Sequence, residues 1–235
     1  MTAHADHAFR RGSVLLLDGG TVTELQRRGV RMMTQAWSGA AALRNTAVLM
    51  AIHRDYIDAG ADIITANTYA TARHLLEFDG MGDVFEVINR GAVTAALEAR
   101  RDCGRPDVLI AGSMSHRGRI TPGTATPVNH VATSADALYA SLSEQALLLR
   151  DAGCDLILLE MMYDPARMPA VYAAASETGL PIWAGFSARR DAGGPLLGFA
   201  PDPVTAFESV VSVLNEWNVG AAGIMHAPSN LISEV

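Results

Sequence analysis

A unit of one apolar strand followed by one helix recurs about six times along the chain, always in the same order. The strands are short and apolar, which is the pattern of a parallel sheet covered by helices on both faces. The predicted strands are 14–17, 62–67, 108–111, 156–159, 182–186 and 220–225. This alternation restricts the chain to two architectures, an open doubly wound sheet and a barrel.

Polar residues at the strand ends favour the barrel. In a barrel every parallel strand ends at one mouth, whereas an open sheet forms its crevice only where the strand order reverses. Polar side chains follow all six predicted strands, at Asp18, Thr68, Ser113, Glu160, Ser187 and His226. The sequence has no Gly-x-Gly-x-x-Gly after its first strand and no Walker pattern, which disfavours a nucleotide cofactor. We therefore predict an α/β fold, a (β/α)8 barrel of the TIM type.

The length of the chain bears on how much of a barrel it holds. An eight-fold barrel typically needs about 250 residues, whereas this chain has 235. Two explanations are open: the C-terminal part is missing, or the barrel is naturally short and a partner completes it. The first is favoured because an open barrel exposes strand edges. We predict a flexible leader over 1–12 and a single barrel domain over 13–235.

Composition disfavours several kinds of partner. The net charge of −7 and an aromatic content of 6% argue against nucleic acid, and the charge argues against an anionic membrane surface. No apolar run reaches the roughly 18 residues of a membrane-spanning helix. Cys103 and Cys154 form no disulfide framework, so a reducing, cytoplasmic location is expected. Both cysteines precede strands and are predicted to be structural, and the oligomeric state stays open, homo-oligomers included.

The first predicted strand ends at an acidic residue, Asp18, which two glycines follow. A carboxylate at the end of a buried strand is costly unless it faces a cavity, a cation or a hydrogen-bond donor. Asp is also a good N-cap, and a helix is predicted over 21–28 with Gly29 just past its end. Both roles of Asp18 stay open, and they are compatible.

A series of short motifs carries a family resemblance. The motifs are Leu17-Asp18-Gly19-Gly20 with Thr23-Glu24-Leu25, Trp37-Ser38, His53-Arg54-Asp55-Tyr56, Asn67-Thr68-Tyr69, Ala111-Gly112-Ser113, Asp155-Leu156 with Glu160, and Trp183 with Phe186-Ser187. With this combination the chain resembles the homocysteine S-methyltransferase family over nearly its whole length, about 14–228. That family includes betaine- and S-methylmethionine-dependent enzymes and the homocysteine domain of cobalamin-dependent methionine synthase. Each motif alone is weak, whereas their combination in this order is specific.

The resemblance implies a barrel enzyme that moves a methyl group from a small sulfonium, ammonium or folate donor to a thiol such as homocysteine, giving methionine. It implies that Asp18 and Glu160 are the catalytic carboxylates and hold the amino acid substrate, since carboxylates match an ammonium group. It also implies Zn²⁺ as cofactor, bound by three cysteines, because zinc deprotonates a thiol whose free pKa is near 8.5. The further substrate-binding residues that it implies are Trp37, Asn67, Thr68, Tyr69 and Ser113.

The sequence departs from the family pattern at the zinc site. The family's cysteine after strand six corresponds to Met225 or His226, depending on a one-residue gap, and the family's Gly-Gly-Cys-Cys-Gly motif does not occur. His226 is therefore the candidate metal ligand. The family's Gly-Pro-Tyr-Gly after strand three is replaced by Ser115-His116-Arg117-Gly118, so the methyl donor can differ. Arg117 in that segment is suited to a substrate carboxylate.

Two alternatives to an S-methyltransferase follow from these departures. One is a non-catalytic homologue that binds an amino acid or a thioether, because the strand-six cysteine is lost. Met114, Met161, Met162 and Met225 cluster at strand ends, where soft sulfur suits such a ligand, although packing is their commoner role. The other alternative is different metal chemistry through three histidines that follow strand ends, namely His74, His116 and His226. His53 lies on a predicted helix and is expected at the surface or in helix packing.

Overall fold

The computed structural model describes residues 14–30, 39–118, 133–200 and 204–234. The predicted leader, 1–12, and the predicted site residue Trp37 lie outside the described residues. The elements are α1 (Thr21–Arg27), α2 (Ala41–Arg44), α3 (Thr46–Asp58), β1 (Ile63–Ala66), α4 (Arg73–Leu76), α5 (Phe85–Asp102), β2 (Leu109–Met114), α6 (Ala135–Ala152), β3 (Leu156–Met162), α7 (Met168–Ser176), β4 (Ile182–Phe186), β5 (Ala188–Arg190), β6 (Leu196–Gly198), α8 (Phe207–Val211) and β7 (Ala221–Ile224). Short 3-10 helices cover Glu77–Asp79, Gly82–Val84, Ser212–Asn215 and Ser229–Glu234.

Five strands form one parallel sheet in the order β1-β2-β3-β4-β7. Before them in the chain, Leu17 makes a single parallel bridge to Ile63 of β1. Strands therefore follow one another across the sheet in chain order, and the order does not reverse. Reversal is the mark of a doubly wound sheet, so the winding is that of a TIM-type barrel, as predicted. The described strands form an open arc of that barrel.

One prediction, the strand at the edge of this arc beside β1, is incorrect in its extent. The segment 14–17 was expected to be a buried strand, yet Val14 is 84% exposed and Leu16 is 52% exposed. Among the described strands only β1 lies beside this segment, and it does so at one bridge. The N–H of Leu16 donates to the Asp62 carboxylate at 2.9 Å instead of joining a regular ladder. An apolar run thus gave the position of the first strand correctly and its extent incorrectly.

The core lies between the sheet and the helices that cover it. Helix α5 turns a row of fully buried alanines, Ala92, Ala95, Ala96 and Ala99, toward its neighbours. Leu142 and Leu149 of α6 are also fully buried, and the free energy gained is about 1.5–3 kcal/mol for each such side chain. Ser134 caps α6 as predicted, because its hydroxyl accepts the N–H of Ala137 at 3.2 Å. These contacts hold the strand ends in a fixed arrangement.

The C-terminal third differs from the sequence prediction in two places. Strands β5 and β6 pair as an antiparallel hairpin beyond the end of β4, where only a turn near 191–194 was expected. Each has three residues, which is too short to show a periodic pattern. The helix predicted over 203–216 is observed as α8 and a 3-10 turn. Nowhere in the described residues is a helix long and apolar enough to cross a membrane.

Candidate active site

Asp18 lies at the carboxyl edge of the sheet, where its carboxylate accepts two hydrogen bonds from one residue of β1. The backbone N–H and the hydroxyl group of Thr65 each donate to it at 2.7 Å. The N-cap of α1 is Gly20, so the capping interpretation of Asp18 is wrong and the expectation of a donor partner is confirmed. Burial raises the pKa of Asp18 to about 6, because desolvation outweighs the two hydrogen bonds from Thr65.

Glu160 lies at the same edge, on β3, and Ser113 of β2 donates its hydroxyl hydrogen bond to it. Ser113 is only 1% exposed, so this bond is shielded from water. Burial, with a smaller contribution from the charge of Asp18, raises the pKa of Glu160 to about 7, against the lowering effect of the Ser113 hydrogen bond. The structure therefore brings together Asp18, Glu160 and Ser113, three of the predicted site residues, and gives the two carboxyl groups pKa values near neutrality.

A local irregularity sets the direction of the Glu160 segment. The register between β3 and β4 shifts between Leu159 and Met162, and Met161 has a positive φ of 55°. A non-glycine residue with such a φ is uncommon and marks a strained position. Bulges of this kind re-aim side chains beside active sites. The apolar run 156–159 does not predict this irregularity, because it has the pattern of an ordinary buried strand.

Among the predicted substrate-binding residues after β1, some hold the site in place and others line it. Thr68 is fully buried, and its hydroxyl donates to the carbonyl oxygen of Ser113 at 2.8 Å. Tyr69 is partly exposed, and its hydroxyl hydrogen-bonds the sulfur of Met161 at 3.2 Å. Ser115 donates to the carbonyl oxygen of Tyr69 at 3.0 Å. Asn67 is buried beside them. Thr68 thus fixes Ser113, and Tyr69 faces the strand-end sulfur.

Behind Thr68 lies a buried polar network that the sequence did not reveal. Gln145 of α6 donates to the carbonyl oxygen of Thr68 at 2.9 Å. Asn89 of α5 donates to the carbonyl oxygens of Thr71 and Phe85 at 3.0 and 2.9 Å, and the Thr71 hydroxyl lies 2.7 Å from the Asn89 side-chain oxygen. Asn89, Thr71 and Gln145 are all fully buried. Hydrogen bonds therefore run from two helices through Thr68 and Ser113 to Glu160.

The two candidates for the missing family cysteine take different positions. Met225 turns inward: the N–H of Met161 donates to its sulfur at 3.2 Å. It packs directly on Gly185, where an added Cβ would lie 2.8 Å from the Met225 sulfur. His226 is exposed and has a φ of 49°. Sulfur rather than imidazole therefore faces the strand-end cluster at this point.

The three histidines considered as metal ligands do not converge. His74 uses both ring nitrogens, since Nδ1 lies 2.9 Å from the Ser141 hydroxyl and Nε2 donates to the carbonyl oxygen of Arg117 at 3.2 Å. His116 Nε2 accepts the N–H of Asp164 at 3.0 Å. Burial lowers the pKa of His74 to about 4 and of His116 to about 3. Across the described ranges, no group of three or more His, Cys, Asp or Glu side chains is arranged to hold a metal ion.

The cysteines and His53 take structural positions. Cys154 is buried just before β3, where an added Cβ on Gly112 would lie 3.1 Å from its sulfur. Cys103 follows the end of α5. His53 is fully buried on α3, which confirms helix packing over a surface position, and burial lowers its pKa to about 4. Both cysteines precede strands in the chain, whereas the two carboxylates lie at the carboxyl ends of strands.

Parallel strands wound in chain order, with a carboxylate pair at their carboxyl edge, define a TIM-type α/β protein with an acidic site. The chain belongs to the homocysteine S-methyltransferase family, whose model matches residues 15–224. Among curated relatives, homocysteine S-methyltransferase 2 of Zea mays is 27% identical over 79% of this chain and 60% of that protein. The homocysteine S-methyltransferase of Escherichia coli strain K12 is 31% identical over 63% of this chain and 50% of its own length.

A solved structure shows the same fold. The homocysteine methyltransferase MmuM of Escherichia coli, in its metallated form, superposes with a TM-score of 0.74 at 22% identity. The match covers 94% of this chain and 77% of that one. This chain therefore spans about 60% of the length of the first curated relative and more of the solved structure.

Proposed function

We propose that this chain carries the acceptor-binding part of an S-methyltransferase, which moves a methyl group from a small-molecule donor to a thiol such as homocysteine. The pair Asp18 and Glu160 is the single observation that carries the proposal. Two carboxyl groups at one mouth, each fixed by a neighbouring hydroxyl group, suit the ammonium group of an amino acid. Family membership supplies the reaction class.

Each carboxyl group has its own part in this proposal. Asp18, held by two hydrogen bonds from Thr65, pairs with the substrate ammonium group. Glu160 takes the thiol proton as the sulfur attacks the methyl carbon, and the donor leaves with the electron pair of its carbon–heteroatom bond. A base whose pKa lies near 7 is better matched to a thiol of pKa about 8.5 than an ordinary carboxylate is.

Zinc enters the proposal only through His226. The described residues do not fit a zinc site. Met225 places a thioether at the inward position, and within the described part of the chain His226 belongs to no group of three His, Cys, Asp or Glu side chains that could hold a metal ion. The steps above therefore use no metal. Elemental analysis of the purified protein, without affinity-tag histidines, tests this: about one zinc per chain that is lost in His226→Ala supports His226 as a ligand, and retention of the metal in that variant contradicts it.

Titration calorimetry with L-homocysteine, combined with a methyl-transfer assay, tests the function itself. S-methyl-L-methionine and glycine betaine serve as donors. We expect homocysteine to bind, and Asp18→Asn and Glu160→Gln each to weaken binding at least tenfold. Glu216→Gln is the matched control, because Glu216 is exposed after the 3-10 turn Ser212–Asn215. Failure of the wild type to bind homocysteine contradicts the proposal.

A second function has an observation of its own. The inward thioether of Met225, one of the two positions that can correspond to the family's cysteine, favours a homologue that binds an amino acid or thioether without turnover. Homocysteine binding without methyl transfer from either donor identifies this alternative. Turnover excludes it.

The remaining parts of the proposal concern the setting of the reaction. We place it in the cytoplasm and in methionine biosynthesis, with small molecules as partners and neither nucleic acid nor membrane. Restoration of methionine-independent growth in an auxotroph that lacks its own methyl transfer step tests the pathway. Light scattering after size-exclusion chromatography measures whether copies of the chain associate.

A further inference from the structure

Two arginines lie at the carboxyl edge of the sheet, on the loops that follow β2 and β3. Arg117 comes three residues after the end of β2, and Arg167 lies in the turn between β3 and α7. Arg117 is only 5% exposed, and Arg167 is partly buried. Burial lowers the pKa of both guanidinium groups, since a cation away from water is less stable. Neither arginine is used by the carboxylate site.

The Arg167 guanidinium is held through its Nε, while its Nη2 group is left without a partner among the described residues. Its Nε donates to the carbonyl oxygen of His116 at 2.8 Å. Its Nη2 is buried and has no hydrogen-bond partner, and no carboxylate of the described ranges lies within 4.0 Å of it. The nearby Asp164 turns its carboxylate to the N–H of Ala166 at 3.0 Å. A buried charged donor without a partner costs more than the roughly 1–3 kcal/mol of a neutral one.

His116 adds a second donor beside it. Its Nε2 accepts the backbone N–H of Asp164, so in the neutral ring Nδ1 carries the proton. That Nδ1 is also buried without a hydrogen-bond partner. Opposite the guanidinium lies the backbone of Gly118, where an added Cβ would come to 3.7 Å from Nη2. The two buried groups without partners, Arg167 Nη2 and His116 Nδ1–H, are both donors, which suits an acceptor-only group, an anion.

Tyr69 separates this site from the carboxylate pair. The Arg117 guanidinium lies 5.9 Å from the centre of the Tyr69 ring. The hydroxyl of the same ring reaches the sulfur of Met161, the residue next to Glu160. Tyr69 thus contacts both the Arg117 guanidinium and the end of the strand that carries Glu160.

We propose that Arg167, with Arg117 and the Nδ1–H of His116, binds the carboxylate of the methyl donor. This assignment rests on the proposed function, because the acceptor is taken to occupy the carboxylate pair. A guanidinium group matches a carboxylate in two parallel hydrogen bonds. Donors of the sulfonium or quaternary ammonium class that are built on amino acids carry that group. The carboxylate completes the hydrogen bonding of Nη2.

Titration calorimetry on the full chain tests the assignment with S-methyl-L-methionine and glycine betaine, each beside its carboxamide. The carboxamides keep the onium charge and lose the carboxylate. We expect Arg167→Gln to weaken the carboxylate probes at least tenfold and the carboxamides less than twofold, with Arg167→Lys between wild type and Arg167→Gln. Arg105→Gln is the matched control, since Arg105 pairs with Asp107 before β2.

Several results would overturn the assignment. The first is that the wild type binds neither carboxylate probe. The second is that both Arg167 variants lose the same affinity for the carboxylate probes as for the carboxamides. The third is that Arg167→Gln binds the carboxylate probes as tightly as the wild type does. Inorganic phosphate is a further probe: if phosphate alone depends on Arg167, the site takes a phosphate rather than a donor carboxylate. Thermal unfolding of each variant shows whether it is folded. If Arg167→Gln does not fold, the comparison of carboxylate and carboxamide binding in Arg167→Lys tests the assignment. Homocysteine binding that depends on Glu160 shows, separately, whether the proposed function holds.

Discussion

The carboxyl groups of Asp18 and Glu160 lie close enough for the negative charge of Asp18 to raise the pKa of Glu160. They come from segments 142 residues apart in the chain, one before β1 and the other on β3 (160 − 18 = 142). Each is also fixed by a hydroxyl group on a strand, Thr65 for Asp18 and Ser113 for Glu160. The pair is thus a product of the sheet.

Glu160→Gln should stabilise the protein at neutral pH and leave stability unchanged in acid. The folded-state pKa of Glu160 is raised from 4.5 to about 7. Below pH 4.5 both states are protonated; between 4.5 and 7 only the unfolded chain loses the proton, so stability falls as pH rises. Removing the group should add about 1–3 kcal/mol to the free energy of unfolding above pH 7. Urea unfolding at pH 4.5 and 7.5 measures it, and an equal change at both values would contradict it.

Thr65→Val should weaken acceptor binding in a pH-dependent way. The variant keeps the backbone N–H donor to Asp18 and loses the hydroxyl donor. The pKa of Asp18 should then rise above its value of about 6, so less carboxylate is present near neutral pH. We expect homocysteine binding to weaken several-fold at pH 6.5 and less at pH 8. Thr46→Val is the control, because it loses only the hydrogen bond from the Thr46 hydroxyl to the carbonyl oxygen of Ala42, between two helices.

Asn89→Leu should destabilise the fold and loosen the site together. Asn89 donates to two carbonyl oxygens and lies beside the Thr71 hydroxyl, all of them buried. Leaving such groups without partners costs about 1–3 kcal/mol for each. We expect a loss of at least 2 kcal/mol in the free energy of unfolding, on the order of that cost. Gln26→Leu, an exposed amide on α1, should change it by less than about 0.5 kcal/mol. Equal effects of the two substitutions would contradict the structural role of the network.

His53→Leu should make the protein more resistant to acid. The folded-state pKa of His53 is lowered from 6.5 to about 4, and both ring nitrogens are buried without hydrogen bonds. Above pH 6.5 the ring is neutral in both states. As pH falls from 6.5 toward 4 only the unfolded chain gains the proton, so stability falls. The variant lacks this loss, which amounts to about 1–3 kcal/mol at pH 4. Unfolding curves at pH 7 and pH 4 would refute the assignment if the variant lost as much stability as the wild type.

The sequence was sufficient for those features that depend on local pattern. Apolar strands, helices between them and a polar residue after each strand predicted the parallel winding and the positions of both carboxylates at the strand ends. The Ser134 cap of α6 and Gly29 after α1 were also correct, with φ of Gly29 at 82°. Each of these signals arises within a few residues, so no knowledge of neighbours in space was needed.

Features that depend on neighbours in space could not be predicted. The bond from Ser113 to Glu160 depends on the register of β2 against β3, and the bulge at Met161 interrupts the register of β3 against β4. The sequence shows that His74 and His116 follow strands, yet not that backbone groups occupy their ring nitrogens. The extent of the first strand failed for the same reason, because burial of Leu16 depends on what lies beside it.

Among the described strands the segment that carries Asp18 is attached to β1 alone, which couples ligand binding to the order of that segment. One bridge at Leu17, hydrogen bonds with Asp62 and Ile63, and the two bonds from Thr65 to Asp18 hold it there. A substrate whose ammonium group pairs with Asp18 and whose thiol lies at Glu160 would join this edge to β3 across two intervening strands. Part of the binding free energy then restrains the chain itself. Amide hydrogens of 14–18 should exchange with solvent more slowly when the acceptor is bound, because the bound substrate restrains this segment against the sheet.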